Sequence, residues 1–103
     1  MTDFLPGDGD EPPKQRILIV DDDEMLRELF RVTMSAAGFD VAGAPDGLTA
    51  LTILDQFQPD LIALDLMMPR MDGHQFCGKL AERGVRVPII IVSAFWSPVR
   101  EAQ

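Results

Sequence analysis

Three short apolar runs constrain the fold of this chain more than any other feature: ILIV at positions 17–20, LIAL at 61–64 and PIIIV at 88–92. Each is apolar at consecutive rather than alternate positions, the pattern of parallel strands buried on both faces. FDVAGA, residues 39–44, reads as a weaker strand between the first two. The intervening stretches have helical periodicity. In DEMLRELFRVTMSAAG, Leu26, Leu29, Phe30, Thr33 and Ala37 follow helical spacing, acids crowd the first turn and Gly38 supplies the stop. Pro45-Asp46-Gly47 reads as a turn and helix start, LTALTILDQF places Leu48, Leu51 and Leu54 on one side, and Pro59-Asp60 ends that helix. Residues near Gly73 to Arg83 form a third helix with Phe76, Cys77 and Leu80 inward, closed by Gly84. Such alternation predicts an α/β fold, a parallel sheet covered by helices on both faces and linked by right-handed crossovers.

With 103 residues there is room for one domain. Lys and Arg total 9 against 17 Asp and Glu, a net charge of −8, so long-range electrostatics oppose nucleic acid and anionic membranes as partners. No apolar run approaches the roughly 20 residues that cross a bilayer. MTDFLPGDGDEPP is acidic and broken by proline and glycine, unlike a secretory signal, and residues 1–14 are expected to be a disordered acidic tail. The single cysteine, Cys77, excludes an internal disulfide and agrees with a reducing, cytoplasmic compartment.

In parallel α/β sheets ligands sit at the carboxyl ends of the strands. Asp21 and Asp22 follow the first run, Asp65 the third and Ser93 the fourth. An acid closing a buried strand needs a partner, an ion or a chemical task, and carboxylates crowded together call for a raised pKa or a bound cation. An all-oxygen cluster suits Mg²⁺, which completes its shell with water and phosphate oxygens. An aspartate can itself attack phosphorus to give an acyl phosphate. For Asp23 and Glu24 a plainer role suffices, since acids at a helix N-terminus need no other reason.

ILIVDDDEMLR, PDLIALDLMMPRMDG and VPIIIVSA resemble the receiver domain of bacterial two-component response regulators, from about Arg16 to Ala94. The resemblance implies a flavodoxin-like doubly wound sheet of strand order 2-1-3-4 over residues 15–103. It implies Asp65 as phosphoacceptor, Asp22 as a direct Mg²⁺ ligand, Asp21 acting mainly through a metal-bound water, and Met67 lending its backbone carbonyl. Mn²⁺ is expected to substitute. Ser93 takes the place of the switch hydroxyl that contacts the phosphoryl group, and Pro69 and Gly73 shape the loop after Asp65. The implied phosphodonor is a phosphohistidine on a sensor histidine kinase or a histidine phosphotransfer domain. The family assists its own phosphorylation and signals rather than turning over substrate.

Receivers also have a fifth strand carrying a lysine, an aromatic switch residue and a last helix, and this sequence, ending at SPVREAQ, has none of them. Lys14 and Lys79 lie in the wrong elements to replace that lysine. A receiver incomplete at its C-terminus would leave the fourth strand as an apolar edge and the first helix partly uncovered, favouring a homodimer or strand exchange. Two other functions remain open on the residues. A haloacid-dehalogenase-type phosphatase would use the D-x-D spacing of Asp21–Asp23, although Met25 stands where it wants Thr or Val, and a receiver-like interaction module would not be phosphorylated at all.

Overall fold

The computed structural model describes residues 13–68 and 71–92. The acidic tail up to residue 12, Pro69, and the stretch from Ser93 onward, with Phe95 and Trp96, lie outside the described residues. In chain order the elements are β1 (Arg16–Val20), α1 (Glu24–Ala36), β2 (Asp40–Ala44), α2 (Gly47–Phe57), β3 (Leu61–Leu64), α3 (Gly73–Glu82) and β4 (Ile89–Ile91). The four strands form one parallel sheet of order β2-β1-β3-β4, the expected flavodoxin-like arrangement.

Register is set from β1 outward. Ile17 to Val20 pair with Val41 to Ala44 on one side and with Leu61 to Leu64 on the other. Being central, β1 is buried over its last four residues, which is why ILIV is apolar at every position. Alternate side chains then sort to opposite faces. Leu18, Val20, Ile62 and Leu64 join Ala50, Leu51, Leu54, Phe76 and Leu80 in one core between the sheet and the pair α2 and α3. Ile17, Ile19 and Ala63 are also buried, but they fall on the opposite face, beneath α1.

Helix starts follow local chemistry. Asp23, Asp46 and Asp72 are the N-caps, each accepting a backbone N–H from its own first turn, at Leu26, Thr49 and Gln75. Asp72 and Gln75 form a reciprocal capping box. Gly38 and Gly84 follow α1 and α3 at φ 103° and 71°, a region that favours glycine.

The helical faces differ in part from the spacing. Leu48 is exposed, and the inner stripe of α2 runs through Gly47, Ala50, Leu51 and Leu54 because Gly47 packs against Met71. Cys77 is only half-buried. No residue of α1 is buried: Leu26, Leu29 and Thr33 are exposed, as is the C-cap Ala37, and Arg27, Phe30 and Met34 are only partly covered. Among the described residues α1 has no helix beside it on its face of the sheet. β4 is shorter than the PIIIV run, spanning three residues after Pro88.

Candidate phosphoacceptor site

The parallel register brings the carboxyl ends of β1 and β3 side by side. Asp21 is one step past Val20 and donates its N–H to the carbonyl of Ala44 at 3.0 Å, while the Asp65 N–H donates to the carbonyl of Val20 at 2.9 Å. These ladder bonds carry the chain one residue beyond each strand, so two acids fall next to each other at the rim. Asp22 follows directly. One carboxylate oxygen from each of Asp21, Asp22 and Asp65 lies within 4.8 Å of the others. Asp21 and Asp65 are buried and Asp22 is exposed, giving the cluster a floor and an open side.

Each buried acid is tied down at one oxygen. Asp21 Oδ1 accepts the Asp23 N–H at 2.9 Å, and Asp65 Oδ1 accepts the Met67 N–H at 3.0 Å. Both are short turns in which an acid accepts the amide two residues on. The second oxygen of Asp65, Oδ2, is buried and has no hydrogen-bond partner among the described residues while both acids are ionised, although a protonated carboxyl would let Asp65 and Asp21 hydrogen-bond side chain to side chain. Burial pushes the Asp65 carboxyl above the usual aspartate range, against the opposing pull of the Met67 amide, and repulsion from Asp21 and Asp22 pushes it further up. Asp21 is raised for the same first reason, burial, with the Asp23 amide opposing and Asp22 and Asp23 adding repulsion.

The loop after Asp65 is held by close packing. Gly73 donates its N–H to the Leu66 carbonyl at 3.0 Å, and a Cβ on Gly73 would lie 2.7 Å from Leu66 Cα and 3.2 Å from the Asp65 carbonyl oxygen. That contact leaves room for hydrogen alone. The side chain of Met67 stands 56% exposed at the rim. Ser93 and Pro69 lie outside the described residues. The neighbour of Ser93, Val92, donates its N–H to the Leu64 carbonyl at 2.9 Å, so the end of β4 is anchored one residue before Asp65.

Two contributors escaped the reading of the sequence. Arg27 donates from Nη1 to the Asp21 carbonyl oxygen at 2.7 Å, and Gly43 lies beneath its side chain. The only signal available was a lone basic residue following four consecutive acids, which is equally common on any solvated helix.

Comparisons with known proteins bear on the family and the fold. The sequence profile of the response regulator receiver domain matches residues 17–102. Response regulator MprA of Mycobacterium sp. (strain KMS) is 43% identical over 79 residues, covering 77% of this chain and 34% of its own length. The DNA-binding dual master transcriptional regulator RpaA of Synechocystis sp. is 42% identical over 81 residues, with the same coverage. The chain thus spans about a third of the length of these curated relatives. Among solved structures, chemotaxis protein CheY4 of Vibrio cholerae superposes with a TM-score of 0.76 at 28% identity, over 87% of this chain and 77% of that one. Response regulator TrrA of Thermotoga maritima, solved in complex with Mg²⁺ and BeF, superposes with a TM-score of 0.72 at 31% identity, over 84% of this chain and 75% of that one. With a profile match over most of its length and a sheet that sets three acids at neighbouring strand ends, this chain belongs to the receiver domain family of two-component response regulators.

Proposed function

We propose that Asp65 accepts a phosphoryl group from the phosphohistidine of a sensor histidine kinase or a histidine phosphotransfer domain, in a Mg²⁺-dependent reaction. One observation carries this reading: Asp65 keeps Oδ1 occupied by the Met67 amide and leaves Oδ2 buried, without a partner among the described residues, and beside two further carboxylates. A buried unpaired oxygen in a native fold needs a reason, and a nucleophile awaiting phosphorus supplies one.

The donor set fits the ion. Three carboxylates, with neither nitrogen nor sulfur, suit a hard cation that keeps several waters. Asp21, Asp22 and Asp65 would hold it, with the Met67 backbone carbonyl as a further oxygen, and Mn²⁺ should serve in place of Mg²⁺. When bound, the ion supplies positive charge against the oxygens of the group being transferred. The Met67 amide fixes the rotation of the Asp65 carboxylate, so that its free oxygen stays directed at the incoming phosphorus. As the new O–P bond forms, the P–N bond of the phosphohistidine breaks and the imidazole leaves with that electron pair. The product is an acyl phosphate on Asp65, to which Ser93 donates a hydrogen bond. The chain thus assists its own modification. This reading carries a cytoplasmic location with it, a compartment where the lone thiol of Cys77 stays reduced. No helix among the described residues is long and apolar enough to cross a membrane.

Incubation with acetyl phosphate and Mg²⁺, followed by intact-mass analysis, tests the reading. The parent chain should gain one phosphoryl group, Asp65→Asn should gain none, and Asp21→Asn should be slower but modified at the same residue. Phosphate mapped to Asp21, or an unmodified parent chain, overturns it.

A further inference from the structure

The turn that carries Asp21 and Asp22 is held from outside by Arg27. Its Nη1 donates to the carbonyl oxygen of Asp21 at 2.7 Å. That carbonyl belongs to the peptide joining Asp21 to Asp22, so the bond fixes the plane from which the Asp22 side chain departs. Asp21 is held at two further points, its N–H by the Ala44 carbonyl and its Oδ1 by the Asp23 amide. Asp22, by contrast, is exposed, and no hydrogen bond among the described residues orients its carboxylate. Its aim therefore depends on the peptide that precedes it.

Arg27 reaches this point because Gly43 clears the way. A Cβ at Gly43 would meet both Cγ and Cδ of Arg27 at 3.1 Å, tighter than ordinary contact. The aliphatic stem thus lies on bare β2 backbone while the head group extends to the end of β1.

We propose that Arg27, seated on Gly43, is a positioning residue for the divalent-ion site: it sets the Asp21–Asp22 peptide so that both carboxylates converge with Asp65. This rests on the phosphoacceptor reading, which places the ion there. Groups that orient metal ligands without touching the metal commonly change affinity by about 10- to 100-fold when removed.

The test measures Mg²⁺ affinity by calorimetry on the full chain, under conditions where circular dichroism shows every variant folded. Arg27→Met keeps the stem and removes the donors, and Mg²⁺ should bind about tenfold more weakly or worse. Arg27→Lys, which retains a charge on a similar stem, should recover part of the loss. Gly43→Ala keeps Arg27 but displaces its stem, and should fall between parent and Arg27→Met. Hydrogen exchange at the Asp23 amide, which bonds Asp21 Oδ1, should accelerate in Arg27→Met without added ion. Mg²⁺ affinity of Arg27→Met within twofold of the parent, or an unchanged Asp23 amide, overturns the inference while leaving the phosphoacceptor reading intact. A parent chain that binds no Mg²⁺, indistinguishable from Asp22→Asn, overturns both.

Discussion

At Asp65 burial works against the charge that attack on phosphorus requires. The side chain is 0% exposed, one oxygen has no partner among the described residues, and two neighbouring carboxylates add repulsion. The sign of the linkage follows. Unfolding returns the carboxyl to its ordinary value near 3.8, so over the interval between that value and its raised folded value the native state binds more protons. Stability contributed by the protonated group is present below the ordinary value and lost as pH rises through the folded one. At neutral pH without divalent ions, Asp65 should therefore weaken the fold. Asp65→Asn removes the charge and can donate from its amide toward Asp21, and it should stabilise the metal-free protein at pH 7 by on the order of 1 kcal/mol. The difference from the parent should shrink as pH falls toward the ordinary aspartate range, as paired urea melts across pH would reveal. Cation binding should narrow or erase that difference. With Mg²⁺ at ten times its dissociation constant the parent gains about 1.4 kcal/mol, and a variant lacking one ligand gains less at the same concentration. Equal responses to Mg²⁺ in parent and Asp65→Asn would mean that Asp65 does not hold the ion.

Elements meet at this site through close backbone approach, and two glycines of one helix show the contrast. Gly73 opens α3 against Leu66, where an added Cβ would come within 2.6 Å of a side-chain atom and 2.7 Å of Cα. Gly78, in the same helix, has nothing within 4 Å of its added Cβ. Gly73→Ala should destabilise by about 1 to 3 kcal/mol through overpacking and slow phosphorylation by moving the Asp65 loop. Gly78→Ala should stabilise by about 0.5 to 1 kcal/mol with the reaction unchanged. Thermal melts with acetyl phosphate kinetics on both variants would separate the two cases. The same contrast marks how far the sequence could be read. Strands buried on both faces announce themselves as unbroken apolar runs, as β1 and β3 do, but the equally apolar run at 88–92 forms β4, which leaves Ile90 and Ile91 half exposed; acids at strand ends are visible without coordinates. Register then guarantees that Asp21 and Asp65 meet. The capping box of Asp72 and Gln75 is equally local, an acid three residues before a glutamine, but the reading of the sequence did not use it. Arg27 over Gly43 was not legible, because it depends on how α1 lies across β2 in space and on the absence of a side chain at Gly43. The inner face of α1 was legible only as a stripe: periodicity shows which residues share a face, not whether another element covers it.

Across the whole molecule the two sides of the sheet are unequally built. The side under α2 and α3 holds the main core, with Phe76 fully buried among Leu18, Leu51, Leu64 and Leu80. Among the described residues the other side is closed by α1 alone, which buries none of its own residues and leaves Leu29 61% exposed. Beside α1 a groove is lined by Ile19, Leu26, Leu29, Phe30, Met34 and Val92, apolar apart from Asp21 and Thr33. Because burial of apolar area is the main stabilising contribution, substitutions should act unequally on the two faces. Phe76→Ala removes a large buried ring and should cost about 3 to 5 kcal/mol, enough to unfold a marginal domain. Leu29→Ala deletes a side chain that is mostly in water already and should stay within about 0.5 kcal/mol of the parent. Native-state hydrogen exchange should follow the same asymmetry, with α1 amides opening at lower free energy than those of β1, β3 and α3. If α1 and α3 instead exchange at one common free energy, the sheet is equally supported on both faces. The clamp from Arg27 would then sit on a rigid element, rather than on the one that opens first.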